Sequence, residues 1–146
     1  MKNKIILVGS GYLGEYIINN LLEKNTSCEI FELSRTKKNR PALIKTTSMD
    51  LDNNPLKLQA FTEGIIIYMA PPSTVSLQDY RVKNFLKNLE EVKTKRFIYI
   101  STSGVYGDCN GEKIDETHKV NPDTDRAKRR VSAETQVTKY CKQKNI

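Results

Sequence analysis

The sequence has no tryptophan, one histidine and three cysteines in 146 residues, and each shortage removes a class of chemistry. A histidine-based metal site or a Ser-His-Asp triad would depend on His118 alone, so neither a metal nor that kind of nucleophile is expected. Cys28, Cys109 and Cys141 lie far apart, without zinc-ligand or redox-pair spacing, and read as free thiols of a reducing cytoplasm. No apolar run approaches the length of a membrane span. The one behind Lys2 and Lys4 is also too short for a signal-peptide core, so neither membrane nor export is expected. Repeats and low-complexity linkers are absent too, which leaves one domain with a real core.

Charge is plentiful but lopsided. The formal balance is +7, with one basic run at Arg35, Lys37, Lys38, Arg40 and Lys45 and another at Arg126, Lys128, Arg129 and Arg130. Such clusters can serve nucleic acid. Here they lack aromatic interleaving, zinc spacing and a helix-turn-helix pattern, so a solvated face or a pocket for a phosphorylated small molecule is the better reading.

The most informative stretch is Lys4–Gly14. Ile5 to Val8 run straight into Gly9-Ser10-Gly11-Tyr12-Leu13-Gly14, and Leu13, Ile17 and Leu21 with Ile18 and Leu22 then recur at helical spacing over residues 12–24. Strand, glycine turn and helix in that order form the setting in which G-x-G-x-x-G means dinucleotide binding. Gly9 would allow the turn, Gly11 the close approach of a pyrophosphate, and Gly14 the packing of helix on strand. Residues 28–33 complete a β-α-β unit.

The end of that second strand bears on the choice of cofactor. NAD sites place an Asp or Glu there for the ribose hydroxyls, whereas NADP sites carry a small residue with Arg or Lys for the 2′-phosphate. Leu33-Ser34-Arg35 followed by Lys37 and Lys38 favours NADP, with NAD as the alternative if a register slip of two brings Glu32 to the ribose. Further along, residues 42–46 read as a third strand, Pro55 to Phe61 as a helix of about two turns, and 65–70 as a buried central strand. A helical stripe covers 77–93, a fifth strand 96–100, and a charged helix 124–144. The expected fold is α/β: a five-stranded, doubly wound parallel sheet of the NAD(P)-binding Rossmann type, from β-α repeated five times over residues 1–146.

After the fifth strand, Ile100-Ser-Thr-Ser-Gly-Val-Tyr-Gly-Asp108, then Gly111 and Asp115-Glu116, resembles the corresponding loop of extended short-chain dehydrogenases/reductases, the NAD-dependent epimerase/dehydratase family. Together with the glycine fingerprint, Ser34-Arg35 and Asp50-Leu51, the resemblance spans nearly the whole chain. The Ala70-Pro71-Pro72 loop looks most like the atypical, NADP-leaning members. The resemblance implies that Gly9, Gly11 and Gly14 hold the pyrophosphate, with backbone N–H groups of Tyr12 and Leu13. Asp50 and Leu51 would flank adenine, and Ala70 and Pro71 the nicotinamide-side ribose. It further implies that Thr102, with Ser103 beside it, bonds a substrate oxygen.

The family's Tyr-x-x-x-Lys pair is where this sequence departs. Counting back from Glu134 puts Arg130 at the Lys position and Arg126 at the Tyr position. Arginine cannot act as a tyrosine-like acid/base, though Arg130 could hold ribose and Arg126 an anionic substrate. Tyr106 is a nearby phenol expected to pack rather than react. Family members also continue into a sixth strand and a smaller substrate domain, whereas this sequence ends at Ile146. The resemblance therefore implies a Rossmann domain truncated after its last helix, with an open sheet edge that a second copy would cover. Its expected function is hydride transfer between NADP(H) and a carbonyl or hydroxyl of a polar, sugar-nucleotide-like small molecule. The alternative is a dinucleotide-binding module without catalysis.

Overall fold

The computed structural model describes residues 2–24, 26–53 and 55–146. Five parallel strands form one sheet: β1 (Asn3–Val8), β2 (Cys28–Ser34), β3 (Ile44–Ser48), β4 (Gly64–Tyr68) and β5 (Thr94–Tyr99), in the order β3-β2-β1-β4-β5. Among the described residues three α-helices accompany them, α1 (Tyr12–Glu23), α2 (Tyr80–Asn88) and α3 (Asp125–Lys144). The chain reverses direction across the sheet at β1, so its switch point lies between β1 and β4, where doubly wound sheets open a crevice at their carboxyl ends.

Strand alternation sorts the core into two layers. Ile6 and Val8 of β1, Phe31 and Leu33 of β2, and Ile66 and Tyr68 of β4 face the side covered by α2 and α3, where Val82, Phe85, Ala133 and Val137 meet them. Leu7, Cys28 and Ile30 face α1 through Ile18. Each α-helix therefore exists largely because one apolar stripe has a sheet face to cover.

The doubly wound parallel sheet agrees with the sequence expectation, but the five-fold β-α repeat does not. Among the described residues β2 passes to β3 without a helix, and the expected helix over Pro55–Phe61 is only a 3-10 turn at Gln59–Phe61. Leu56 and Leu58 are buried two residues apart, a spacing that points both side chains one way only in extended backbone. The N–H of Leu56 donates to Asn88 Oδ1 at 3.0 Å rather than into a helix. The second α-helix is also shorter than the 77–93 stripe. Leu89 and Val92 are buried in the turn that follows it, while Leu77 stays half-exposed ahead of it.

Candidate functional site

The turn after β1 is shaped by two glycines with different duties. Gly9 has φ +75°, and a Cβ there would stand 2.4 Å from the Ala70 Cα, so the turn touches the segment that follows β4 through backbone. Gly11 has φ −100°, and a Cβ there would meet no atom within 4 Å. Its side chain is missing toward open space rather than toward protein. Gly11 is also the N-cap of α1, and no side chain caps the helix, so its leading N–H groups keep their capacity for an anion. Gly14 packs against Ser10, whose Oγ would lie 2.2 Å from an added Cβ.

Around this turn lies a cleft of about 190 Å³ lined by Gly9, Gly11, Ser34, Arg35, Asp50, Leu51, Ala70 and Pro71 among others. Eight of the residues singled out from sequence thus converge from the ends of β1, β2, β3 and β4. Tyr12 and Leu13 follow on the exposed first turn of α1, and Gly14 is buried beneath it. The Ser34 hydroxyl donates to the Thr36 carbonyl at 2.7 Å, and the Ser48 hydroxyl to the Arg35 carbonyl at 2.7 Å, so this loop is fixed locally. The Arg35 side chain remains exposed.

Glu32 does not reach the cleft. β2 runs on to Ser34, which places Glu32 two residues inside the strand on the α1 face, with its side chain 1% exposed. Arg40 grips it with Nε and a terminal nitrogen, both at 2.7 Å, and uses the same guanidinium to hold Glu15 at 2.6 Å. Lys38 joins both acids. Burial is the largest single influence and raises the Glu32 carboxyl, but the hydrogen bonds from Arg40, the Ser10 hydroxyl and the charges of Arg40 and Lys38 together outweigh it and hold the group below its ordinary range. Arg40 and Lys38 bring Glu15 down to about 2. The register slip that would make Glu32 a ribose acid is therefore absent. Three of the five residues in the basic run are also spent: Lys38 and Arg40 neutralise this pair of acids and Lys45 meets Glu29, and of the other two, Arg35 and Lys37, Arg35 lines the cleft.

The predicted chemical residues sit elsewhere. Thr102 N-caps the short 3-10 turn Ser103–Tyr106, its Oγ1 accepting from the Gly104 N–H at 3.3 Å, and both Thr102 and Ser103 are exposed. Ser101 bonds Glu134 of α3. Arg130 is only 7% exposed and stitches α3 to β5, donating to Tyr99 Oη at 2.9 Å and the Ile100 carbonyl at 3.0 Å. Arg126 is exposed on the first turn of α3. None of Thr102, Ser103, Arg126 and Arg130 lines the cleft. Tyr106 is half-buried, its ring edge-on to His118 at 5.9 Å.

Sequence reasoning missed Arg81. It is the second residue of α2, its N–H held by the Asp79 cap, and its side chain lines the cleft while reaching back 29 residues to Asp52. The Asp79 cap signals a helix start in the sequence, but nothing local signals that long-range pairing.

Among the described residues no helix is long and apolar enough to cross a membrane, and no group of three or more His, Cys, Asp or Glu side chains could hold a metal ion. A model of the NAD dependent epimerase/dehydratase family matches residues 5–146. No curated protein matches the chain. Among solved structures, UDP-glucuronic acid 4-epimerase from Bacillus cereus, in complex with UDP-glucuronic acid and NAD, superposes with a TM-score of 0.78 at 21% identity, over 98% of this chain and 54% of that one. UDP-glucose 4-epimerase from Thermus thermophilus, in complex with NAD, gives 0.78 at 19% identity over 98% and 52%. UDP-N-acetylglucosamine 4-epimerase from Methanobrevibacter ruminantium gives 0.77 at 14% over 99% and 52%. The likeness is one of fold, and the chain spans about half the length of these structures.

Proposed function

The chain belongs to the NAD-dependent epimerase/dehydratase family, and from that premise we propose that its cleft binds a nicotinamide dinucleotide, NADP in preference to NAD. The observation that carries the reading is Gly11: an uncapped helix start whose missing side chain opens onto the cleft. A diphosphate placed there would accept from the first N–H groups of α1 and gain from the helix dipole. Two of the solved neighbours are complexes with NAD, which supports the cofactor class. The preference for NADP rests on this chain's own residues. Ser34 stands at the strand end where NAD sites carry an acid, Glu32 is locked away behind α1, and Arg35 offers an exposed guanidinium.

The bound dinucleotide would supply hydride chemistry toward a carbonyl or hydroxyl of a sugar-nucleotide-like substrate, the class to which the UDP-glucuronic acid bound in one of those neighbours belongs. Thr102 would position the substrate oxygen and Arg126 an anionic group. A second reading, binding without turnover, is favoured by Arg130, whose guanidinium is engaged inside the fold rather than offered to a ribose. Titration with NADPH and NADH, followed by nicotinamide fluorescence, tests the binding. NADPH should bind the more tightly, and the absence of binding by either at millimolar concentration would sink the proposal. Turnover across a panel of alcohols and aldehydes, abolished in Thr102→Val, separates the first reading from the second.

A further inference from the structure

Arg81 and Arg35 are two arginines on one cleft in opposite electrostatic states. Arg35 is exposed and its charge is available. Arg81 is held in a plane. Its Nε donates to Asp52 Oδ1 at 2.8 Å, one terminal nitrogen to Asp52 Oδ2 at 2.5 Å, and the other to the Pro71 carbonyl at 2.8 Å. Its side chain is 16% exposed. The hydrogen bonds of Asp52 keep the guanidinium fully protonated, and Arg81 in turn holds the Asp52 carboxyl below its ordinary range. Both edges of the fork are used within the plane and the charge is matched, so Arg81 is poorly suited to receive a phosphate. Its remaining asset is the flat face of the guanidinium, which stacks well on aromatic rings.

The surroundings fit a ring. Leu33, Met49 and Leu51 give the cleft apolar walls, and Arg81 lines it from the first turn of α2. The hydrogen bonds also tie the loop after β3, through Asp52, to the loop after β4, through Pro71. The spacing of the two walls is therefore set before a ligand arrives. We propose that Arg81 is a specificity residue for the purine end of the dinucleotide, its guanidinium face forming one wall of the adenine slot while Arg35 takes the 2′-phosphate. This rests on the cleft binding a dinucleotide, as proposed above.

The test compares NADPH with reduced nicotinamide mononucleotide, which lacks the adenosine half, in the wild type, Arg81→Lys and Asp52→Asn. Lysine keeps a charge for Asp52 but has no planar face. Arg81→Lys should weaken NADPH binding about five- to tenfold while changing the affinity for reduced nicotinamide mononucleotide less than about twofold. Asp52→Asn, which loosens the fork without removing it, should weaken NADPH about two- to threefold. Equal losses for both ligands would assign Arg81 to holding the loops and overturn the proposal, as would unchanged NADPH binding in Arg81→Lys. A wild type that binds neither NADPH nor NADH would instead bring down the dinucleotide reading on which this one stands.

Discussion

The glycine-turn end of the sheet and the β5–α3 end carry similar polar residues but spend them differently. At the first, the leading N–H groups of α1 are uncapped, Gly11 leaves space, and Arg35 is exposed above the cleft. The acids and bases that could interfere are paired off behind α1, where Arg40 and Lys38 hold Glu15 and Glu32. At the second, Arg130 is bonded to Tyr99 and Ile100, Ser101 is bonded to Glu134, and Thr102 caps its own turn. One region keeps its hydrogen-bonding capacity outward; the other consumes it in packing α3 on β5. The difference separates binding from chemistry within a single domain, and two substitutions can test it directly.

The larger effect on stability belongs to Arg130. A buried guanidinium that donates to a phenol and a backbone carbonyl contributes about 2 kcal/mol, because its removal leaves those acceptors without a charged donor. Arg130→Met should therefore lower the unfolding free energy by that amount, read as a lower midpoint in a urea titration, while NADPH affinity stays within about twofold of wild type. The reverse pattern, near-normal stability with collapsed affinity, would place Arg130 at the ribose and erase the contrast between the two ends.

Gly11→Ala should show the opposite signature. A methyl group at Gly11 meets nothing within 4 Å, so the free protein should melt within about 0.5 kcal/mol of wild type. The same methyl group would stand where a diphosphate must approach, and dinucleotide affinity should fall at least about tenfold, or ~1.4 kcal/mol. Gly9→Ala is the useful control. Its φ of +75° and the 2.4 Å approach to the Ala70 Cα make it a folding defect, visible in thermal melting before any ligand is added. Equal melting losses at Gly9 and Gly11 would mean that the turn is only structural.

Much of this arrangement is readable from the chain itself. The strand–glycine–helix order, the apolar runs of β1 and β4 and the Ser34-Arg35 strand end are local signals, and their residues do converge. What was not legible depends on distance in sequence. Arg40 reaches eight residues back to Glu32 and 25 back to Glu15, and Arg81 reaches 29 back to Asp52. Those pairings decide which cations are available to a ligand, so the basic run looked richer than it is. The helix expected at Pro55–Phe61 failed for a related reason: Leu56, Leu58 and Phe61 bury against distant partners, and tertiary burial overrode the local pattern.

The smallest effect expected is one of pH, and its sign differs between Glu15 and Asp79. Behind the glycine turn, Glu15 is lowered from an ordinary 4.5 to about 2 by Arg40 and Lys38, and Glu32 is lowered too. A carboxyl lowered in the folded state stabilises above its unfolded value and loses that contribution as pH falls, here between about 4.5 and about 2 for Glu15. Glu15 is 39% exposed, so solvent screens the pair and the loss is modest. Asp79, buried at the start of α2, is raised by burial, and the N–H groups of Val82, Ser73 and Arg81 only partly offset this. Its contribution runs the other way: it is present in acid and lost as pH rises through its folded value. Glu15→Gln should therefore flatten the decline in stability between pH 4.5 and 2, while Asp79→Asn, which keeps a capping oxygen, should steepen it. Urea midpoints across that interval measure both slopes. If Glu15→Gln declines as steeply as wild type, the cluster behind α1 is not held by its charges.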